Sequence, residues 1–213
     1  LVTRARRLSA ALAVAAALAG AEASAQSLLS HDWLVLQPEL GISYANVVAV
    51  SNDGLFPSAS STTGFGPRFG LLAGMRFGPV TGGARVDLAR YAAYDVGDAG
   101  LFIELRVPVP FIQPFGRVGI GYAWLGDLNP DPRYLACGAS GSGASCPKVS
   151  GWFGSVGGGL DLAISSHFTL GANLDVTFLN LTRAASPASV MFTNTGDSVG
   201  LQVTLGLHAA LRI

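Results

Sequence analysis

The sequence predicts an all-β chain, an eight-stranded antiparallel up-and-down barrel that crosses a membrane with strands and follows a cleaved leader. Three observations carry that expectation. Apolar residues alternate with small or polar ones in eight separate stretches. The charged residues of those stretches fall almost entirely on the side away from the apolar set. The composition is apolar, glycine-rich and charge-poor. Of 213 residues 28 are Gly, 50% are hydrophobic and 12% are charged, where a soluble domain usually carries about 25% charged residues.

The first 25 residues read as an export signal. Arg4, Arg6 and Arg7 precede an apolar run from Leu8 to Gly20, and Ala23-Ser24-Ala25 supplies a small-x-small cleavage pattern before Gln26. The run is shorter than the ~18–20 residues a spanning helix needs. Residues 26–213 form the barrel domain in this reading.

Alternate residues of a strand point to opposite faces, and each stretch splits accordingly. In 34–45 the apolar face is Leu34, Leu36, Pro38, Leu40, Ile42 and Tyr44, opposed by Gln37, Glu39 and Ser43. In 67–77, Phe69, Leu71, Met75 and Phe77 oppose Arg68 and Arg76. In 82–91, Ala84, Val86 and Leu88 oppose Arg85 and Asp87, and in 100–107, Leu101, Ile103, Leu105 and Val107 oppose Glu104 and Arg106. In 114–125, Val118, Ile120, Tyr122 and Trp124 oppose Arg117, Gly119 and Gly121. In 152–163, Trp152, Val156, Leu160 and Leu162 oppose Ser155, Gly157 and Asp161. In 168–179, Leu170, Leu174, Val176 and Phe178 oppose Asn173, Asp175 and Thr177. In 199–213, Leu201, Val203, Leu205, Leu207 and Leu211 oppose Gln202, Thr204, His208 and Arg212. These stretches hold twelve charged residues, of which eleven lie on the polar face and only Arg90 on the apolar one.

A soluble sandwich would alternate too. Strand length decides against it, since a tilted membrane strand needs ~9–11 residues, and an even number of strands can close a barrel. The connections 78–81, 108–113 and 164–167 are short, while 46–66, 92–99, 126–151 and 180–198 are longer. Short turns on one side and long loops on the other are the pattern of outer-membrane barrels. Tyr44, Phe69, Tyr122, Trp124, Trp152 and Phe178 form an expected aromatic girdle near the loop end, with Phe77, Phe111 and Phe168 near the other rim. Plain core packing is the competing explanation of these aromatics.

The stretch Pro114-Phe-Gly-Arg-Val-Gly-Ile-Gly-Tyr-Ala is similar to the repeated strand motif of small outer-membrane β-barrel proteins. So are Gly157-Gly-Gly-Leu-Asp-Leu and Phe168-Thr-Leu-Gly-Ala-Asn-Leu-Asp-Val. The resemblance to this OmpA/OmpX-type superfamily spans residues ~33–213. It implies a bacterial outer-membrane location, lipid and lipopolysaccharide as surroundings, and a C-terminal strand read by the barrel-insertion machinery. That strand ends in Ile213 where the family usually has an aromatic residue.

An eight-stranded interior is just wide enough for side chains to fill. Glu39, Arg85, Asp87, Glu104, Arg106, Arg117 and Asp161 are expected there at middle to lower depth, as a salt-bridged plug. A narrow charge-lined ion path is the alternative. Cys137 and Cys146 are the two cysteines, both in the Gly/Ser-rich stretch 126–151, and in an oxidising compartment a disulfide between them is expected. Free thiols or a metal pair are the alternatives.

The remaining expectations are negative or general. With 13 basic and 13 acidic residues the chain has no positive field for nucleic acid. No cofactor motif appears. Of the three His, His31 precedes the barrel, His167 adjoins Ser166 in a turn, and His208 points inward. None forms the Ser–His pattern of a lipid-modifying enzyme. The sequence thus predicts a monomeric, non-enzymatic outer-membrane barrel with a structural or surface-interaction role and external loops free to meet a ligand. A narrow pore and, less well supported, a lipid-modifying enzyme are the rival readings.

Overall fold

A computed structural model describes residues 34–49, 62–109, 111–126, 148–185 and 194–213. The proposed leader, His31, Cys137 and Cys146 all lie outside the described residues. Eight strands follow in chain order: β1 Leu34–Asn46, β2 Thr63–Phe77, β3 Val80–Arg90, β4 Asp95–Arg106, β5 Ile112–Gly126, β6 Val149–Ala163, β7 Phe168–Arg183 and β8 Gly196–Arg212. Each pairs antiparallel with its sequence neighbour, and β1 also pairs with β8, closing the sheet. Closure satisfies the edge backbone groups, which water cannot do inside a bilayer.

The register fixes the geometry. Leu34 pairs with Met75, and the line continues through Gly82, Ile103, Val118, Val156, Val176 and Val203 to Tyr44. One circuit therefore climbs ten residues along β1. Such a stagger forces the strands to tilt by roughly 35–45°, and it sets residues distant in sequence at one height.

The alternation becomes an inside and an outside. The large apolar residues of every strand point outward and stay exposed, among them Leu40, Phe69, Leu101, Ile120, Leu160, Leu174 and Leu207. Their polar neighbours are buried in the lumen. A soluble barrel would reverse this, so the exterior is built for lipid. Among the described residues no helix is long and apolar enough to cross a membrane, and the strands are the crossing elements. Arg90, the exception on the apolar side, sits at the loop end of β3 with an exposed ion pair to Asp95 at 3.4 Å.

Two expectations are corrected. The stretch 92–99 is not a long loop: only 91–94 connects β3 to β4, and Asp95–Ala99 continue the ladder against Tyr122–Gly126. The β2–β3 turn is likewise tighter than 78–81. Gly78, at φ 60°, and Pro79 make a two-residue hairpin closed by the Phe77–Val80 pair. Glycine at the first central position supplies the positive φ that such hairpins use to match strand twist. Asp98 looks like a loop residue in sequence, yet it is buried in the lumen.

The lumen is layered. At the loop end Ala45, Val47, Ala89, Tyr91, Tyr94, Val96, Ala123, Leu125, Val149, Phe153, Leu179 and Leu181 form one buried apolar cluster. The inner face was expected to be small or polar throughout, and this layer departs from that. Its residues lie near the loop ends of the strands and in the 91–94 connection, where apolar packing closes the lumen.

Candidate functional site

Below the apolar layer a ring of neutral polar groups crosses the lumen. The Tyr91 hydroxyl donates to Ser43 Oγ at 2.8 Å, and Gln202 Nε2 donates to both, at 3.0 and 3.1 Å. Thr204 Oγ1 reaches Ser43 Oγ at 3.1 Å. Tyr94, its ring centre 5.1 Å from that of Tyr91 and tilted by 49° to it, donates to the Thr62 carbonyl at 3.0 Å. The short 91–94 connection thus folds two tyrosines into the mouth of the barrel. Burial pushes the ionisation of both hydroxyls up from the usual phenol range.

The charged network fills the middle. Arg85 bonds Asp87 through Nε at 2.7 Å and Ser155 Oγ through Nη1 at 3.0 Å. Asp87 also takes Arg68. Arg68 reaches Glu39 at 3.4 Å, and Arg117 joins Glu39 at 2.7 Å to Asp175 at 2.8 Å. Gln37 Nε2 adds a bond to Glu39 Oε1 at 3.0 Å. All these charged side chains are buried. Buried charge is tolerable only when paired and hydrogen-bonded, and Glu39 is the hub, accepting from three donors on three strands.

A second group lies toward the turn end. Arg106 Nη2 spans Glu104 Oε1 at 2.6 Å and Asp161 Oδ2 at 2.7 Å. Asp161 Oδ1 holds His208 Nε2 at 2.6 Å, and His208 Nδ1 meets Asn173 Oδ1 at 3.2 Å. Asn173 Nδ2 also donates to Asp175, so Asn173 joins the two groups into one continuous chain of contacts. Phe115 stands between, with the Arg106 and Arg117 guanidinium carbons 5.7 and 6.0 Å from its ring centre, a cation–π arrangement.

The seven lumen charges singled out from sequence are all buried, and they divide among these two groups. Glu39, Arg85, Asp87 and Arg117 belong to the upper, Glu104, Arg106 and Asp161 to the lower. Arg68, Asp175, Asn173, His208 and Asp98 complete the network. The first four lay on the polar face, but their depth depends on the stagger, which no local pattern gives. Asp98, 3.7 Å from Arg85, was hidden in the supposed loop.

On the outside, Tyr44, Phe69, Tyr122, Trp152 and Phe178 are exposed. Tyr122 and Trp152 pack edge to face at 6.0 Å, and Tyr122 donates to Ser150 Oγ at 2.6 Å. Trp124 lies flat on Gly97 of the neighbouring strand, where any Cβ would collide with its indole. Directly beyond these aromatics come Asn46, Arg90, Asp95, Ser150 and Asn180, where the exterior turns polar. Ser166 Oγ and His167 Nδ1 are 2.9 Å apart in the exposed 164–167 turn. Among the described residues no group of three or more His, Cys, Asp and Glu could hold a metal ion.

The fold has counterparts among solved structures. Neisserial surface protein A superposes with a TM-score of 0.55 at 11% identity, over 84% of this chain and 97% of that one. The N-terminal β-barrel domain of Pseudomonas aeruginosa OprF gives 0.47 at 14% identity, over 84% and 97%. The outer membrane protein AlkL gives 0.47 at 14%, over 86% and 92%. At such identities the likeness concerns fold alone, and it is the fold of an outer-membrane-type barrel. No protein-family model and no curated protein matches the chain.

Proposed function

We propose that the chain is a bacterial outer-membrane barrel with a closed lumen, a structural or surface-interaction protein rather than a conduit. The observation that carries this reading is the filled interior. A continuous buried chain of ion pairs and hydrogen bonds, joined through Asn173, runs from Asp98 to Glu104, and an apolar layer with Tyr91 and Tyr94 sits across the loop end. An ion entering from the loop side would meet an apolar layer first and a buried network of ion pairs and hydrogen bonds next.

In this reading residues 1–25 direct export and are removed, and the short turns face the periplasm. Lipopolysaccharide surrounds the aromatic girdle of Tyr44, Phe69, Tyr122, Trp124, Trp152 and Phe178. The β8 strand engages the insertion machinery, the barrel works as a monomer, and the long connections meet external ligands, one of them bridged by Cys137 and Cys146. Refolded barrel in planar bilayers tests the central claim. Steady current at the bare-membrane level is expected. Discrete ohmic steps from wild-type protein would overturn the closed lumen and favour the narrow pore. Altered lipid A acylation that depends on the intact gene would favour a lipid-modifying enzyme.

A further inference from the structure

We propose that the turn end of the lumen is a binding site for a small, partly protonated oxyanion of the phosphate class. Three buried or half-buried features lie at that end of the lumen. Arg76 on β2 faces inward, and its guanidinium makes a single bond, from Nε to the Gly78 carbonyl at 3.0 Å. It has no carboxylate partner among the described residues. Three guanidinium groups, Arg76, Arg106 and Arg212, share this end with the carboxylates of Glu104 and Asp161. Arg106, 2% exposed, spends Nη2 on both carboxylates and leaves Nε and Nη1 with no acceptor. The fully buried Thr169 hydroxyl, from β7 at the same end, also lacks a partner.

Buried donors without acceptors are costly, and guanidinium groups match oxyanions with paired N–H bonds. The same corner holds carboxylate oxygens, among them Glu104 Oε2, which has no hydrogen-bond partner. A ligand with acceptor oxygens alone would face them unfavourably. Hydrogenphosphate offers oxygens to Arg76, Arg106 and Thr169 and an O–H to a carboxylate, so it satisfies both kinds of orphan. Sulfate has no such proton at neutral pH. Half-buried Arg76 leaves the turn end in contact with water, whereas the loop end is closed by the apolar layer, so the ligand enters past the turns. That this side is periplasmic rests on the orientation proposed above. The binding does not.

The test uses refolded barrel in detergent micelles at pH 7, with phosphate, sulfate and chloride at matched ionic strength. Phosphate should raise the thermal midpoint saturably, sulfate should do so weakly, and phosphorus NMR should show the bound ion. Arg76→Gln should fold with wild-type gel mobility and bind phosphate at least tenfold more weakly. Arg76→Lys should fall between, since it keeps the charge but loses the fork. Equal midpoints in the three salts, with no bound phosphorus signal, would overturn the site and leave water as the partner of the orphan atoms. An undiminished phosphate response in Arg76→Gln would overturn it as well.

Discussion

Removing the Glu39 carboxylate attacks the closed lumen at its hub. Glu39→Ala deprives Arg117 of an acceptor at 2.7 Å, Arg68 of one at 3.4 Å and Gln37 of one at 3.0 Å. Losing one member of a buried pair typically costs ~3–5 kcal/mol, because the remaining charge stays desolvated. Here Arg117 keeps Asp175 at 2.8 Å and Arg68 keeps Asp87, which argues for the lower end, about 3 kcal/mol. With a urea slope of about 2 kcal/mol per molar, the unfolding midpoint should fall by about 1.5 M. The assay is urea titration in lipid vesicles, read by tryptophan fluorescence and by heat-modifiable gel mobility. Glu39→Ala combined with Arg117→Ala should destabilise less than the sum of the two, with a coupling of at least ~1 kcal/mol. A midpoint shift below about 0.5 M would mean that water replaces the carboxylate freely. The description of a dry, mutually paired interior would then fail.

The legible part of this molecule was its parity. Each strand's inner and outer faces follow from a period of two, and Glu39, Arg117 and Asp161 could be assigned to the lumen without knowing any pairing. Depth was not legible. Arg117 on β5 reaches Glu39 on β1 across the lumen only because the ten-residue stagger sets the two at similar height. A stagger is a property of the closed sheet, not of any segment. Tyr94 escaped for another reason. It lies in a connection whose sequence, Tyr-Ala-Ala-Tyr, carries no turn residue and no alternation, and its burial depends on a lumen that exists only after closure. Asp98 was lost with it, since it falls in the stretch 92–99 that reads as a connection. In the fold Gly97 instead makes room for Trp124 across the strand pair.

Further outcomes follow from the same geometry. Leu174→Arg places a cation on the lipid face at mid-height and should cost ~2–4 kcal/mol of folding into bilayers, against ~0–1 for Asn180→Arg beyond the girdle. Equal costs, measured by folding yield and urea midpoint, would contradict the membrane boundary drawn here. Arg90→Ala should leave the midpoint unchanged, because its partner Asp95 is met in water. Tyr91 and Tyr94 stay protonated in the barrel at pH values where an unfolded chain, with phenols near ~10, has begun to ionise. Their contribution is therefore complete below that pH and is lost as pH rises above it. Tyr91→Phe with Tyr94→Phe should flatten the alkaline side of the stability curve, and an unaltered curve would place these hydroxyls in water. The last comparison separates room from crowding among the glycines. A Cβ on Gly171 would lie 2.3 Å from Asp161 Oδ1 and 2.4 Å from His208 Nε2, so Gly171→Ala must wedge apart the bond between them. A Cβ on Gly116, on the lipid face, would meet nothing within 4 Å. Gly116→Ala should then be neutral or slightly stabilising, because alanine narrows the unfolded ensemble. Gly171→Ala should destabilise by about 1–3 kcal/mol, the usual range for an overpacked interior. If both substitutions are equally tolerated, His208 and Asp161 have room to separate, and their tight contact is not what holds the lumen closed.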